Sequence, residues 1–253
     1  KSDYPENLRI FKNSFAPLSN GLSLSIMKFT SFAKYPEFAA KFIKYPEFVA
    51  KDFLDLQRSE GGAGKIIFSF LFPIGLIWIM LFSVLKIIPP VNFFMIFAIL
   101  LGAISSMVYN WLTEFDLFSS YAFLPVRVSD VIKSKLTSYA IINLLSLAIL
   151  IIAALKTGGM QYFIPALLAF LSVSSYSLAI TVYLGGLYPN MLLYNAKIFL
   201  EYIFSISPIL LILIIASMFN PLYLLASPIL IPVSYAMLRK SFKKWNTWEH
   251  PSY

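Results

Sequence analysis

The sequence predicts an all-α polytopic transmembrane helical bundle of about six spans, both termini cytoplasmic, preceded by an interfacial amphipathic helix. Three observations carry that prediction. Hydrophobic residues make up 59% of the 253 residues and charged residues 13%, about half the roughly 25% charge of a soluble domain. The apolar residues gather in stretches long enough to cross a bilayer, for which a helix needs roughly 20 residues over about 30 Å of hydrocarbon. Finally, eighteen of the twenty Lys and Arg fall on one side of those stretches.

The first 65 residues precede any span. They contain a tandem ten-residue repeat over 32–51: Phe-Ala-Lys-Tyr-Pro-Glu-Phe-Ala-Ala-Lys followed by Phe-Ile-Lys-Tyr-Pro-Glu-Phe-Val-Ala-Lys. Two copies are too few for a solenoid. Pro36 and Pro46 suit a first helical turn, where the missing N–H costs nothing, and Glu37 and Glu47 then meet the positive helix end. The second copy runs on through Asp52-Phe-Leu-Asp-Leu-Gln-Arg58, with Phe48, Phe53, Leu54 and Leu56 for an apolar side. This predicts a helix lying along the membrane interface and leading into the first span.

The spans are expected at residues 66–85, 91–112, 136–155, 163–184, 198–219 and 221–238, making 66–238 the transmembrane domain and 239–253 a basic cytoplasmic tail. Their continuity excludes alternating barrel strands. Pro73 and Pro208 would kink the first and fifth spans. The sixth follows the fifth across Asn220-Pro221 and carries Pro228 and Pro232, so it reads either as a kinked helix or as a re-entrant pair of half-helices.

Ten of the basic residues precede the first span. Arg127, Lys133 and Lys135 lie in the second connection, Lys197 in the fourth, and Arg239, Lys240, Lys243 and Lys244 after the sixth; only Lys86 and Lys156 fall opposite. The positive-inside rule therefore places both termini and the 110–135 loop in the cytoplasm of a multi-pass cell-membrane protein. The net charge of +8 is accounted for by anionic membrane lipid, and no nucleic-acid partner is needed.

Several chemistries are excluded by residue type. There are no cysteines, hence no disulfide, thiolate metal site or cysteine nucleophile. One histidine, His250, cannot form a histidine metal cluster. Gly64-Lys65 is not a phosphate loop, because Ser59 stands where its first Gly would be and Ile66 replaces the Ser/Thr. Glu114 and Asp116 stand at i, i+2, which points them apart on a helix. No catalytic site, cofactor site or metal site is expected on this chain.

Few polar groups reach membrane depth. Asn143, Ser172, Ser175 and Glu201 are candidates for lining a path or for helix packing, and Ser174, Ser177 and Thr181 extend the hydroxyl stripe. Lys197 precedes Glu201 by four residues, which predicts an interfacial ion pair.

The loop 110–135 is the one long, charged and Pro-punctuated connection. Tyr109 and Trp111 read as interfacial anchors, Pro125 breaks the backbone after Tyr121-Ala-Phe-Leu124, and Ser129 or Asp130 reads as the N-cap of a helix running through Lys133 and Lys135. Exposed Leu, Phe and Val beside charges suit docking onto a soluble protein.

At these residues the sequence resembles the type-2 ATP-binding-cassette (ABC) exporter permeases over about 50–240. Lys51-Asp-Phe-Leu-Asp-Leu-Gln-Arg-Ser59 followed by Pro73 looks like their cytoplasmic helix before the first span. Glu114-Phe-Asp116, Leu124-Pro125 and Ser129-Asp-Val-Ile-Lys-Ser-Lys135 look like their loop after the second span. Gly185-Gly-Leu-Tyr-Pro-Asn190 looks like the turn after their fourth. The resemblance implies a permease subunit that forms a translocation path with a second permease subunit or half. A cytoplasmic ABC ATPase subunit would hold ATP and Mg. It makes Glu114, Asp116, Leu124, Pro125, Val126, Arg127, Asp130 and Lys135 the ATPase-coupling loop, with Tyr188, Pro189 and Asn190 a second contact. Lys1 in place of Met and the long N-terminus suggest the C-terminal half of a two-part permease. The rival readings are a non-transporting membrane scaffold or assembly factor, and a membrane-embedded enzyme assembled from Glu114, Asp116, Glu201 or His250.

Overall fold

A computed structural model describes residues 46–58, 62–85, 92–114, 127–188 and 194–247. Most of the tandem repeat, the middle of the long loop and the last six residues lie outside that set. The described residues are all helical or in short turns, as expected, and five helical runs are long and apolar enough to cross a membrane. The chain divides at Pro73 into two compact units.

The first unit holds α1, Pro46–Arg58, and the start of α2, Gly62–Leu85. Helix α1 begins at Pro46, where the ring costs no hydrogen bond. It buries Val49, Asp52 and Leu56, spaced three and four apart on one face. Leu54, expected on the apolar side, is exposed instead, and Val49 takes that role. Lys51 and Asp55 pair at 3.2 Å on the outer face.

The second unit runs from Ile74. The first expected span, 66–85, falls within the 24-residue α2, and Phe70–Leu81 is its apolar stretch among the described residues. The Trp78 ring meets Phe93 and Phe97 edge-on at 4.6 and 5.0 Å. Asn92 caps α3, Phe93–Ser105, by accepting from the N–H groups of Phe94 and Met95.

The second span is not one regular helix. It breaks at Ser106 into α3 and α4, Met107–Glu114. Ser105 and Ser106 each donate to a carbonyl three residues back, at 2.7 and 2.8 Å, which competes with the helical ladder.

Helix α5, Val128–Thr157, is continuous for 30 residues, about 45 Å at 1.5 Å per residue. It ends where Gly158 takes φ +66°, a left-handed stop. A 3-10 turn, Gly159–Tyr162, leads to α6, Phe163–Gly185.

Helix α6 is the axis of the unit, packed most extensively against α3 and α8. A Cβ on Gly102 of α3 would stand 2.8 Å from the Phe170 carbonyl of α6, so glycine permits the close approach. Asn195 caps α7, Ala196–Phe219, and Asn220 caps the segment after it.

That last span is a single helical run that changes type, not a re-entrant pair. Pro221–Ile229 is 3-10, and α8, Leu230–Asn246, is α-helical. Pro228 and Pro232 each lack the N–H that an α-helix would use at the changeover. Helix α8 also runs eight residues past Leu238, so the start of the expected basic tail is helix. Helix α7 is the outlier in burial. Only 6% of its most apolar stretch is covered by the chain, against 67% for the α3–α4 run.

Candidate functional site

The first candidate site is the base of the long loop. Residues 115–126, with Asp116, Leu124, Pro125 and Val126, lie outside the described residues, as do Pro189 and Asn190. Glu114 is the last residue of α4 and half-buried, and Arg127 is exposed. Arg127, not Ser129 or Asp130, is the N-cap of α5, and its side chain makes no cap bond.

Ser129 and Asp130 therefore sit inside the first turn. The Ser129 N–H donates to Asn246 Oδ1 at 3.0 Å, so the cap comes from the other end of the chain. Asp130 pairs with Lys133 at 2.9 Å, a carboxylate at the positive end of the helix. Lys133 also lies 5.5 Å over the Phe242 ring.

Lys135 departs from its expected role. It is 1% exposed, and its ammonium donates to the Leu112 carbonyl in the last turn of α4. A cation there satisfies a helix-end carbonyl. Lys135 ties two helices together and is not available on a docking surface.

Beside this base, the ends of α6 and α8 interlock. Trp245 is 1% exposed and donates from Nε1 to the Val182 carbonyl at 2.9 Å. Its ring fills the space left by Gly186, which has φ +57°. Tyr109 of α4 donates to the Gly186 carbonyl at 2.9 Å. Tyr188, half-buried, sets its ring 6.0 Å from that of Trp245. Lys244 donates to the Tyr183 carbonyl at 2.8 Å and lies over the Tyr183 and Trp245 rings.

Glu201 forms no ion pair with Lys197, contrary to expectation. It is exposed and close enough to act electrostatically on Lys244 instead. The i, i+4 spacing was met, but both side chains lie on an open surface where such a pair holds weakly.

The second candidate site is a polar node at mid-helix. Ser174 is the midpoint of α6. Its hydroxyl lies 2.9 Å from that of Ser105, 2.6 Å from that of Tyr139, and accepts from Asn143 Nδ2 at 3.0 Å. The Ser105 and Tyr139 hydroxyls are 3.1 Å apart. Three hydroxyl protons are shared among the three hydroxyl–hydroxyl contacts and the Ser105 bond to Gly102, so one of the four goes without a proton at any moment and donors can be redistributed without moving a heavy atom. Asn143 Oδ1 is buried with no partner among the described residues.

The node gathers Asn143 but not the other candidates. Ser172 is buried with an unpartnered hydroxyl, and Ser175 donates to its own helix at Leu171 O, 2.7 Å away. Ser105 and Tyr139 were not legible as members. A serine next to a serine at the centre of an apolar run was the available signal.

Among the described residues, no group of three or more His, Cys, Asp or Glu is close enough to hold a metal ion. Asp116 and His250, needed for a membrane-embedded enzyme reading, lie outside those residues. A scan against protein-family models, a search of curated proteins and a search of solved structures each return no match.

Proposed function

We propose that this chain is the transmembrane permease subunit of an ATP-driven ABC exporter, with residues 114–130 as the element that docks a cytoplasmic ATPase. The observation that carries the reading is the fastening of the loop at both feet. Lys135 bonds the Leu112 carbonyl beside the departing foot, and Asn246 caps the returning one. A loop that passes a push from a soluble partner into the membrane needs feet that do not yield. Arg127, exposed at the return, offers a charge to that partner.

Two further features support the reading. The break in α3–α4 beside the hydroxyl node leaves adaptable polar groups midway along α6, which suits a path that opens between helices. The uncovered face of α7 leaves room for lipid or for a second permease subunit or half. ATP and Mg would belong to the ATPase, both termini would be cytoplasmic, and the bundle would sit in the cell membrane.

The test is to copurify the chain with a cytoplasmic ATPase and compare ATP hydrolysis with and without it. Arg127→Glu and Pro125→Ala should lower the stimulated rate several-fold while the chain stays folded and monodisperse. Absence of any associated ATPase, or an unchanged rate in both variants, overturns the proposal.

A further inference from the structure

The return foot of the loop is held by a residue 117 positions further along the chain. The first N–H groups of α5 need acceptors, and Arg127 at the cap offers none from its side chain. Asn246 supplies the missing oxygen. The helical turn that carries it is tied down at three side chains: Trp245 to the Val182 carbonyl and into the Gly186 gap, Lys244 to the Tyr183 carbonyl, and Phe242 beneath Lys133.

The polarity of α8 fits this. Ser241 and Trp245 are buried on one side, whereas Arg239, Lys240 and Lys243 are exposed on the other. Charge alone marks these residues as a solvated tail, but half of that turn is a packing surface.

We infer that residues 242–246 form a clasp that fixes the return foot of the loop to α6 and to the last span, with Asn246 and Trp245 as positioning residues. The inference rests on the docking reading only for what the clasp is for; its existence as a mechanical link does not. A displacement of Ser129 drags Asn246, and with it the whole of α8 and the 3-10 segment Pro221–Ile229. The last span thereby moves with the loop although nearly a hundred residues separate them.

The chain has no cysteines, so introduced ones label cleanly. Spin labels at Arg127→Cys and Thr247→Cys, both exposed positions, should give a narrow distance distribution in the full chain reconstituted in bilayers. Asn246→Ala should broaden it at least twofold. Asn246→Asp, which keeps an acceptor at the positive helix end, should restore it. Trp245→Phe, which keeps a ring and loses the Nε1 donor, should broaden it less than Asn246→Ala. A distribution equally narrow in Asn246→Ala overturns the clasp, as does failure of Asn246→Asp to restore it. Because the distance is read on the chain alone, failure to find an ATPase removes the docking reading and leaves this result standing. With the ATPase present, Asn246→Ala should also lower stimulated hydrolysis, with rescue by Asn246→Asp; an unchanged rate would deny the clasp its positioning role.

Discussion

Gly186 and Trp245 fit together because one of them has no side chain: a Cβ on Gly186 would clash with the Cε2, Cδ2 and Cζ2 atoms of the Trp245 indole. Gly186 also holds φ +57° and ψ −120°, a conformation that L-residues with side chains rarely adopt. Backbone strain of about 1–3 kcal/mol and overpacking of about 1–3 kcal/mol should therefore act together in Gly186→Ala. The thermal midpoint in detergent, read by the loss of monodisperse protein, should drop by several degrees. Adding Trp245→Ala should recover the overpacking part and not the backbone part. A midpoint unchanged in Gly186→Ala would mean that the ring does not occupy this gap.

Lys133 and Lys135 should behave oppositely although they stand two residues apart in the same charged stretch. Lys133 pairs with Asp130 on a half-exposed surface, so Lys133→Ala should cost about 0–1 kcal/mol. Lys135 is buried on the Leu112 carbonyl, and hydrogen bonds to charged groups contribute about 1.5–3 kcal/mol. Lys135→Met should therefore lower stability clearly in a denaturant titration, with Lys133→Ala close to the parent. Equal effects would contradict the burial difference.

That contrast shows what the sequence could and could not convey. Long apolar runs are a property of composition and need no partner, so the helical class and the five runs long enough to cross a membrane were legible directly. A turn after α6 was legible at Gly185-Gly186 only through the resemblance, and the positive φ of Gly186 was not. Which lysine turns inward depends on the rotation of α5 against α4, and nothing local to Lys133 or Lys135 fixes that. Ser129 and Asp130 are good caps by propensity, yet Asn246 supplies the cap in the fold. Propensity reads the nearest side chain, and here the acceptor arrives from the opposite end of the chain. Tyr139 likewise reads as one aromatic among many until α3 and α6 bring Ser105 and Ser174 to its hydroxyl.

The node makes a quantitative prediction. Ser174→Ala removes the oxygen on which Ser105, Tyr139 and Asn143 converge. Interhelical hydrogen bonds in membranes contribute about 0.6–2 kcal/mol, and a buried group left unpaired adds to the loss. Ser174→Ala and Asn143→Leu should each destabilise, and the double variant should lose less than their sum by about 0.5 kcal/mol or more. A double-variant cycle of unfolding free energies in bicelles measures this. Additive losses would show that the two side chains do not share a bond.

Helix α7 offers the clearest test of what surrounds the bundle. Phe204 is 73% exposed and Ile206 is 5% exposed, two residues apart on the same helix. If α7 crosses a bilayer with this rotation, position 204 faces acyl chains and position 206 faces α3 or α6. Single cysteines can be placed at either site in a chain that has none of its own. A spin label at Phe204→Cys should then be relaxed strongly by dissolved oxygen, which concentrates in the hydrocarbon, and weakly by a water-soluble paramagnet. The label at Ile206→Cys should be shielded from both. The alternation should recur at Ile212, 63% exposed, and at Ser217, 3% exposed. Loss of oxygen access at Phe204 and Ile212 together would mean that another chain covers the face. Strong access of the water-soluble reagent there would deny that the helix lies in a membrane at all, since no hydrocarbon would then separate those side chains from water.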